Sequence, residues 1–204
     1  MAIIPSCCLA LPKIRVACVG DSITEGSDSA SYPAFLQEYL GNRFNVRNFG
    51  AGSTAALRRA DKPYWVYPAY QAAKDFNPHI VIINFGLNDS KPQNWAYGAN
   101  FRRDYLALVN QFRKLPSKPR VFIAIPTPLL LEERFGLTKS VVENEISPII
   151  RKLSLTERLP LIDLYSALVG YPELQPDYIH PNAEGMAIIA RTVAAKIISL
   201  RRFK

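Results

Sequence analysis

The sequence predicts an α/β fold in three layers, with helices on both faces of a five-stranded parallel sheet. Short apolar runs of strand length alternate with longer amphipathic runs along the chain, a pattern typical of parallel strands joined by helical crossovers. The 204 residues are 49% hydrophobic and 21% charged, which is enough to bury a full core. No apolar run approaches the roughly 20 residues that a membrane-spanning helix needs, so no membrane span is expected.

Five short segments, most of them apolar, predict the strands of this sheet, and several of them end at a glycine. The third is the most continuous, interrupted only by Asn84 and followed by Gly86. The predicted strands cover residues 14–19, 45–49, 80–85, 121–125 and 161–164.

Four longer segments have apolar residues at helical spacing and predict the main helices. We expect a kink near Pro148 in the third segment, because proline cannot donate a backbone hydrogen bond inside a helix. Pro181 lies in the entry turn of the last segment, where a proline is tolerated. The predicted helices cover residues 31–40, 101–115, 138–155 and 183–200.

We expect a single domain at residues 14–204, preceded by an extension at residues 1–13. The extension is apolar but has no basic residues ahead of the apolar stretch, which makes it a poor signal peptide. It is either the remnant of a longer targeting segment, which would indicate a secreted or periplasmic protein, or an extension of a cytoplasmic one. The cysteines are three, clustered and without CxxC spacing, so neither a disulfide framework nor a metal site is expected: Cys7, Cys8 and Cys18.

The chain is basic, with a formal net charge of +8. Such a balance is typical of proteins that bind nucleic acids, anionic surfaces or acidic substrates. Part of the excess lies at the carboxyl end, however, and no dense basic run with interleaved aromatic residues occurs elsewhere. We therefore expect a solvated basic surface and no nucleic-acid partner. The terminal basic residues are Lys196, Arg201, Arg202 and Lys204.

A serine stands where a parallel sheet presents its ligands, at the carboxyl end of a strand. Ser22 follows the first predicted strand in the turn Gly20-Asp21-Ser22. This position would expose its hydroxyl at the sheet edge, although a helix cap or a turn is the commoner role of such residues. Ser22 is a candidate nucleophile, and a serine nucleophile needs a base.

The chain contains two histidines, and they differ in where the predicted sheet places them. His79 precedes the third strand, at the opposite edge from Ser22, which favours a structural role. His180 follows Asp177 by three residues in a turn before the last helix. From that spacing the carboxylate can bend back to the imidazole Nδ1–H and leave Nε2 facing the serine, although a surface Asp beside a capping His is the plainer interpretation.

Acyl transfer also needs hydrogen-bond donors aimed at the developing oxyanion. Three donors could converge near Ser22. They are its own backbone N–H, a backbone N–H in the glycine-rich turn after the second strand, and the side-chain amide of Asn88 after the third strand.

Taken together, four short motifs resemble the ordered blocks of the SGNH (GDSL-type) hydrolases, over about residues 14–200. The motifs are Gly20-Asp21-Ser22, the Gly50/Gly52 turn, Gly86-Leu87-Asn88-Asp89 and Asp177-Tyr178-Ile179-His180. The resemblance implies a flavodoxin-like α/β/α domain.

For the site, the resemblance implies Ser22 as nucleophile, His180 as base and Asp177 as its orienting partner. It also implies Asn88 and a backbone N–H of the second block as oxyanion donors. The family turn runs Asn-x-Gly-x-Ser-Gly, and counting from Asn48 puts Ser53, instead of a glycine, at the donor position. Gly52 comes one residue earlier, so the two remain alternatives for the donor.

Two further segments resemble the sialate O-acetylesterase-like branch of the family, which deacetylates sugars. They are residues 88–95, which end at Trp95, and residues 61–65, which contain Tyr64 and Trp65. Exposed aromatic rings can stack on sugars, although aromatic residues near loops more often serve packing. The candidate substrate-binding residues are Asp21, Tyr64, Trp65 and Trp95.

Other classes fit the sequence less well. The turn beginning at Gly50 matches a dinucleotide-binding GxGxxG/A pattern, but no acidic residue ends a strand about 20 residues later. No GxSxG pentapeptide occurs, which excludes an α/β-hydrolase elbow. We therefore expect a serine esterase for short acyl esters, particularly O-acetyl groups on carbohydrates, with no cofactor or metal. The alternatives are a GDSL-type lipase, thioesterase or lysophospholipase, and a non-catalytic carbohydrate-binding module.

Overall fold

The computed structural model describes residues 12–27 and 30–200 and contains the predicted parallel sheet. The strand order is β2-β1-β3-β4-β7, every neighbouring pair is parallel, and helices cover both faces. This is the doubly wound order expected for a flavodoxin-like domain, and the predicted fold class is confirmed. The strands are β1 (Ile14–Gly20), β2 (Phe44–Gly50), β3 (Ile80–Asn84), β4 (Arg120–Ile125), β5 (Glu133–Arg134), β6 (Leu137–Thr138) and β7 (Leu161–Asp163).

The four predicted helices are present, and several shorter ones accompany them. α3, which was not predicted, has eight residues, of which only Ala73 is buried. The helices are α1 (Ser22–Glu25), α2 (Tyr32–Leu40), α3 (Pro68–Asp75), α4 (Pro92–Trp95), α5 (Phe101–Arg113), α6 (Lys139–Val141), α7 (Ser147–Thr156), α8 (Leu164–Leu168) and α9 (Ala183–Ser199).

The predicted kink near Pro148 takes the form of a widened helical turn. A π-helical turn at Val142–Ile146 joins α6 to α7, and Pro148 then lies in the first turn of α7. A proline ring clashes with the preceding turn of a regular helix and lacks the N–H for its hydrogen bond. The irregular turn therefore comes just before the proline, which itself begins a regular helix.

The core consists of two apolar layers, one on each face of the sheet. Along β1, Val16 and Cys18 pack into one layer, and Ala17 and Val19 pack into the other. Because successive side chains of a strand point to opposite faces, a strand covered on both faces is a continuous apolar run. This explains why the central strands were predictable from short apolar runs.

The predicted extension at residues 1–13 lies outside the described residues except for its last two positions, and so do Cys7 and Cys8. Arg201, Arg202 and Lys204 at the basic end also lie outside them. In the part of the chain that the structure describes, no helix combines the length and apolar character needed to cross a membrane. Cys18 is fully buried, and its burial raises the pKa of the thiol to about 12.

Candidate active site

The candidate site lies at the carboxyl ends of β1, β2 and β3, next to the topological switch point between β1 and β3. β1 pairs with β2 on one side and with β3 on the other. The segments after these three strands carry Ser22, Ser53 and Asn88, and ligands bind at such a switch point. The topology therefore brings together three of the blocks that the sequence pattern singled out.

Three side chains form a continuous chain of hydrogen bonds at this edge. The Oγ atom of Ser22 lies 3.0 Å from Nε2 of His180, and Nδ1 of His180 lies 2.6 Å from Oδ2 of Asp177. With Nδ1–H donating to the carboxylate, Nε2 is left as the acceptor for the Ser22 hydroxyl. This arrangement can draw a proton from the serine as its oxygen attacks.

Asp177 is held by its own turn as well as by the imidazole ring. Its Oδ1 accepts backbone N–H bonds from Ile179, at 3.0 Å, and from His180, at 2.7 Å. Partial burial raises the pKa of the Asp177 carboxyl, but the hydrogen bonds from His180 and Ile179 outweigh it, and the pKa is lowered overall. The carboxylate is therefore ionised at neutral pH and fixes the orientation of the imidazole.

The turn from β1 into α1 fixes the position of Ser22. A side chain at Gly20 would collide with Thr24 and with the carbonyl of Asn84, so the close approach requires glycine. Asp21 caps α1, because its Oδ1 accepts the N–H of Ile23 at 3.0 Å. Ser22 is the first residue of α1, where a backbone N–H has no partner within the helix.

The candidate role of Asp21 in substrate binding needs correction, because its side chain is only 1% exposed. Burial, together with the nearby Asp89 carboxyl, raises the pKa of Asp21 to about 7, although the Ile23 N–H and the Asn88 side chain lower it. A buried carboxyl that caps α1 and contacts the Asn88 amide cannot contact a ligand. Its place indicates a positioning role for Ser22 and Asn88.

Two cavities meet at the Ser22–His180 pair. The smaller, of about 160 Å³, is also lined by Ser53 and Asn88. The larger, of about 320 Å³, lies on the other side and is lined by small and apolar residues that include Ala30 and Met186. The hydroxyl of Ser22 is thus reachable from both sides, and the three proposed oxyanion donors border the smaller cavity.

Ser53, not Gly52, lines this smaller cavity. Ser53 has a φ of +62°, the left-handed conformation that glycine adopts most easily. In the described part of the structure its N–H donates to no protein acceptor. Gly52 lies against Glu25 instead, because a Cβ there would come within 2.6 Å of the Glu25 carboxylate. The geometry favours the Ser53 N–H as the donor that points at a ligand.

Asp89 is a supporting residue to which the sequence analysis gave no role. It is completely buried, and its carboxylate accepts the N–H groups of Ala56, at 3.1 Å, and Leu57, at 2.8 Å. Burial raises the pKa of Asp89 to about 6, although those two hydrogen bonds lower it. Asp89 thereby ties the turn that carries Ser53 to the segment that carries Asn88. The sequence signal for Asp89 was only its position directly after Asn88.

The aromatic candidates for sugar binding are packing residues in this structure. Tyr64 is fully buried, and its hydroxyl donates to the carbonyl of Phe49 at 2.7 Å. The Trp65 indole donates to the carbonyl of Ala56 at 2.8 Å, and the Arg58 guanidinium covers its ring. Tyr64 is buried, Trp65 is half-buried, and neither lines a cavity at Ser22. This corrects the expectation that they contact a substrate.

Trp95 also belongs to the packed region beside the site. Its ring contacts that of Phe101 at a centroid distance of 5.7 Å and closes over Gly98. Trp95 does not line either cavity at Ser22, so the structure gives it no direct contact with a ligand there.

His79, the second histidine, lies at the opposite edge of the sheet. Its Nδ1 accepts the backbone N–H of Arg15 at 3.0 Å, and its own N–H and carbonyl join the ends of neighbouring strands. Partial burial and the Arg15 charge lower the pKa of His79. The ring therefore has a structural partner and lies far from the serine.

The fold and the arrangement around Ser22 define a class of protein, and the chain belongs to the GDSL-like lipase/acylhydrolase family. The family model matches residues 18–188. The predicted membership in the SGNH (GDSL-type) hydrolases is thus confirmed, and it groups the chain with ester-hydrolysing enzymes.

Individual relatives agree with this class. The chain is 33% identical over 207 aligned positions to an acetylxylan esterase of Xylanibacter ruminicola. The alignment covers 90% of the chain but only 43% of that relative, so the chain spans less than half of the relative's length.

Solved structures share the fold. The carbohydrate acetylesterase Est24 of Sinorhizobium meliloti superposes with a TM-score of 0.74 and 19% identity, over 92% of this chain and all of that one. An aryl esterase of M. smegmatis superposes with a TM-score of 0.75 and 18% identity, over 92% of this chain and 99% of that one. At these identities the similarity concerns the fold alone.

Proposed function

We propose that the protein is a serine esterase that hydrolyses short acyl esters through Ser22, His180 and Asp177. One observation carries the proposal. A serine hydroxyl, an imidazole and a carboxylate are joined by bonds of 3.0 and 2.6 Å beside two open cavities. This is the geometry of a nucleophile, its general base and the group that orients the base.

The proposed reaction has two stages. His180 Nε2 accepts the Ser22 proton while Oγ attacks the ester carbonyl, and the tetrahedral intermediate collapses to an acyl-serine as the alcohol leaves with that proton. Water then attacks the acyl-serine, gives its proton to His180 and releases the acid as Ser22 regains its hydrogen. Asp177 stays ionised throughout and stabilises the imidazolium that forms in each stage.

Three donors around the smaller cavity would hold the oxyanion. They are the N–H of Ser22, the N–H of Ser53 and the side-chain amide of Asn88. The Asn88 amide has two hydrogens, so one can contact Asp21 while the other stays available for the substrate. Gly52 is the alternative backbone donor, and its position against Glu25 argues against it.

The proposed substrate class is an O-acetyl ester on a carbohydrate. The relative from Xylanibacter ruminicola is an acetylxylan esterase, and the structural neighbour Est24 is a carbohydrate acetylesterase. Acetylated xylo-oligosaccharide is therefore the first substrate to test, with acetate release as the measurement and the Ser22→Ala variant as the blank. No Ser22-dependent acetate release from this substrate or from acetylated glycans of other sugars would exclude the proposed substrate class.

The alternative functions differ from the proposed one in the substrates that they would hydrolyse or bind. A lipase, thioesterase or lysophospholipase of the same family would hydrolyse long-chain acyl esters in preference to acetyl esters. A non-catalytic carbohydrate-binding module would release no phenolate from p-nitrophenyl acetate. The dinucleotide-binding alternative lacks structural support, because α3 begins only at Pro68, well after the turn at Gly50.

Asn88→Ala tests the only oxyanion donor that a side-chain substitution can delete. We expect kcat to fall by roughly a hundred- to a thousandfold with a much smaller change in KM, because this hydrogen bond strengthens as negative charge develops. Steady-state kinetics on a soluble acetyl ester measure both constants. Full activity of a folded Asn88→Ala protein would leave that segment with only a turn-forming role.

Ser53→Gly and Ser53→Ala test whether the proposed second donor is a backbone group. Both variants keep the N–H, so we expect kcat/KM to stay within about threefold of the original value. The left-handed φ costs a non-glycine residue roughly 1–2 kcal/mol, so Ser53→Gly should also be at least as stable as Ser53→Ala in thermal unfolding. A drop of more than tenfold in both variants would mean that the Ser53 hydroxyl itself takes part. A proline is unsuitable here, because its φ is fixed near −65°.

A further inference from the structure

A short hairpin brings an exposed aromatic ring to the smaller cavity. β5 and β6 pair through a two-residue turn, Phe135–Gly136, with φ values of +50° and +75°. Two consecutive residues of positive φ are typical of a type I′ turn, whose first position usually holds Asn, Asp or Gly. A phenylalanine there is strained, since a bulky side chain rarely adopts this conformation.

A second aromatic residue has the same unusual backbone. Tyr178, between Asp177 and His180, has a φ of +73° and is 45% exposed. Bulky residues persist in such conformations only where their surroundings hold them, and they concentrate at functional sites. Phe135 lines the smaller cavity, and Tyr178 directly precedes Ile179 and His180, which also line it. The two strained aromatic residues therefore stand close to the same site.

The surroundings do hold both residues in place. Next to Phe135, Leu137 is buried, and the N–H of Thr138 donates to the Ser90 hydroxyl at 3.0 Å. The carbonyl of Tyr178 accepts the N–H of Leu130 at 3.2 Å. The hairpin is thus tied to the segment that carries Asn88, and the segment that leads into the hairpin is tied to the turn that carries His180.

One guanidinium group connects the two rings. The Cζ atom of Arg134 lies 4.4 Å from the centroid of the Phe135 ring and 5.8 Å from that of Tyr178. Cation–π contacts of this kind fix the orientation of aromatic side chains at a surface. Phe135 remains 64% exposed and lines the cavity that contains Ser22 and His180. An oriented ring with an open face therefore stands at the mouth of the site.

We propose that Phe135 and Tyr178 form an aromatic platform that binds the sugar ring carrying the scissile ester. This proposal rests on the proposed esterase function of the same site. A pyranose ring has a face of C–H groups that buries apolar area on an aromatic ring, while its hydroxyls stay in water. The open rim suits such a ligand, whereas a long acyl chain would need an enclosed apolar groove.

The experiment compares two acetyl esters of different size, methyl acetate and the monoacetate of methyl xylopyranoside. Phe135→Asn and Tyr178→Asn remove one ring each, and asparagine tolerates the left-handed backbone. Phe135→Tyr keeps the ring. Leu155→Ala removes an apolar side chain of α7 that is 80% exposed and distant from the cavity, and serves as the matched control.

We expect Phe135→Asn to lower kcat/KM for the sugar ester about tenfold, or about 1.4 kcal/mol, chiefly through KM. The decrease in kcat/KM for methyl acetate should be at least threefold smaller than the decrease for the sugar ester. Tyr178→Asn should also lower the ratio of kcat/KM for the sugar ester to kcat/KM for methyl acetate. Phe135→Tyr and Leu155→Ala should leave that ratio unchanged. Equal losses on both esters, or none, would overturn the platform. The platform would also be overturned if kcat/KM fell only for an aryl ester such as p-nitrophenyl acetate, because the rings would then bind an aryl group.

A binding measurement separates this proposal from the proposed catalysis. Saturation-transfer NMR of xylo-oligosaccharide with the Ser22→Ala protein should show transfer to the sugar C–H protons, and the added Phe135→Asn change should abolish it. This result does not depend on ester hydrolysis. Absence of Ser22-dependent acetate release would contradict the esterase, whereas equal transfer with and without the Phe135 ring would contradict the platform alone.

Discussion

Ser22→Ala is expected to lower kcat by at least about a thousandfold while leaving the fold intact. The Ser22 hydroxyl is the proposed nucleophile, and its partner in the structure is Nε2 of His180 at 3.0 Å. Loss of Oγ removes the atom that forms the acyl-enzyme, whereas α1 keeps its cap, because Asp21 still accepts the N–H of Ile23. The remaining activity would come from the oxyanion donors and from substrate binding.

The measurement is steady-state hydrolysis of a soluble acetyl ester by purified protein, with thermal unfolding as a check on the fold. Ser199→Ala, at the exposed end of α9, is a matched serine-to-alanine control and should keep full activity. If pure Ser22→Ala retained more than a tenth of the original activity, another group would have to be the nucleophile.

His180→Ala is expected to reduce kcat by a similar factor of about a thousand or more, because the serine would lose its general base. The double variant Ser22→Ala/His180→Ala should be hardly worse than either single variant, since residues that act as a unit are strongly non-additive. Kinetics of the three proteins on one substrate measure this directly.

His79→Ala is the matched histidine control. The ring accepts one backbone N–H bond, from Arg15, so its removal should cost about 1 kcal/mol of stability and leave kcat within about twofold. An inactive His79→Ala beside an active His180→Ala would reverse the assignment of the two histidines.

The central strands of the sheet were predictable because they are buried on both faces, whereas β2, at the edge, has exposed residues. In β3, four consecutive apolar residues precede Asn84, and such a run stands apart from the amphipathic helices. Short elements carried no such signal. The hairpin β5–β6 has two residues in each strand, and its turn lacks the usual Asn-Gly or Asp-Gly sequence, so neither alternation nor turn chemistry indicated it.

Local spacing predicted part of the site. Asp177 and His180 are three residues apart, and the structure contains the predicted hydrogen bond between them, although their catalytic role stays a prediction. Counting along the turn after β2 put Ser53 at the donor position, and its left-handed backbone agrees with that count.

The burial of the aromatic residues distinguished packing residues from candidate ligand-binding residues, which the sequence could not do. An aromatic residue near a loop has the same sequence signature whether it stacks on a ligand or packs in the core. Tyr64 proved to be buried, whereas Phe135, which drew no attention in the sequence, is exposed and lines the same cavity as Ser22. The roles of these rings depend on contacts between distant segments, and one sequence does not reveal such contacts.

The hydrogen bond between Ser22 and His180 joins residues 158 positions apart. Ser22 follows β1, which forms only with β2 and β3 as neighbours, while α9, directly after His180, packs on α2. Contacts between such distant parts of a chain form slowly, because the intervening loop must close first. During synthesis the serine leaves the ribosome long before the histidine does. In the proposed mechanism a nascent chain therefore carries an unactivated hydroxyl, and hydrolysis would begin only after the segment around His180 has been made and has docked onto the sheet.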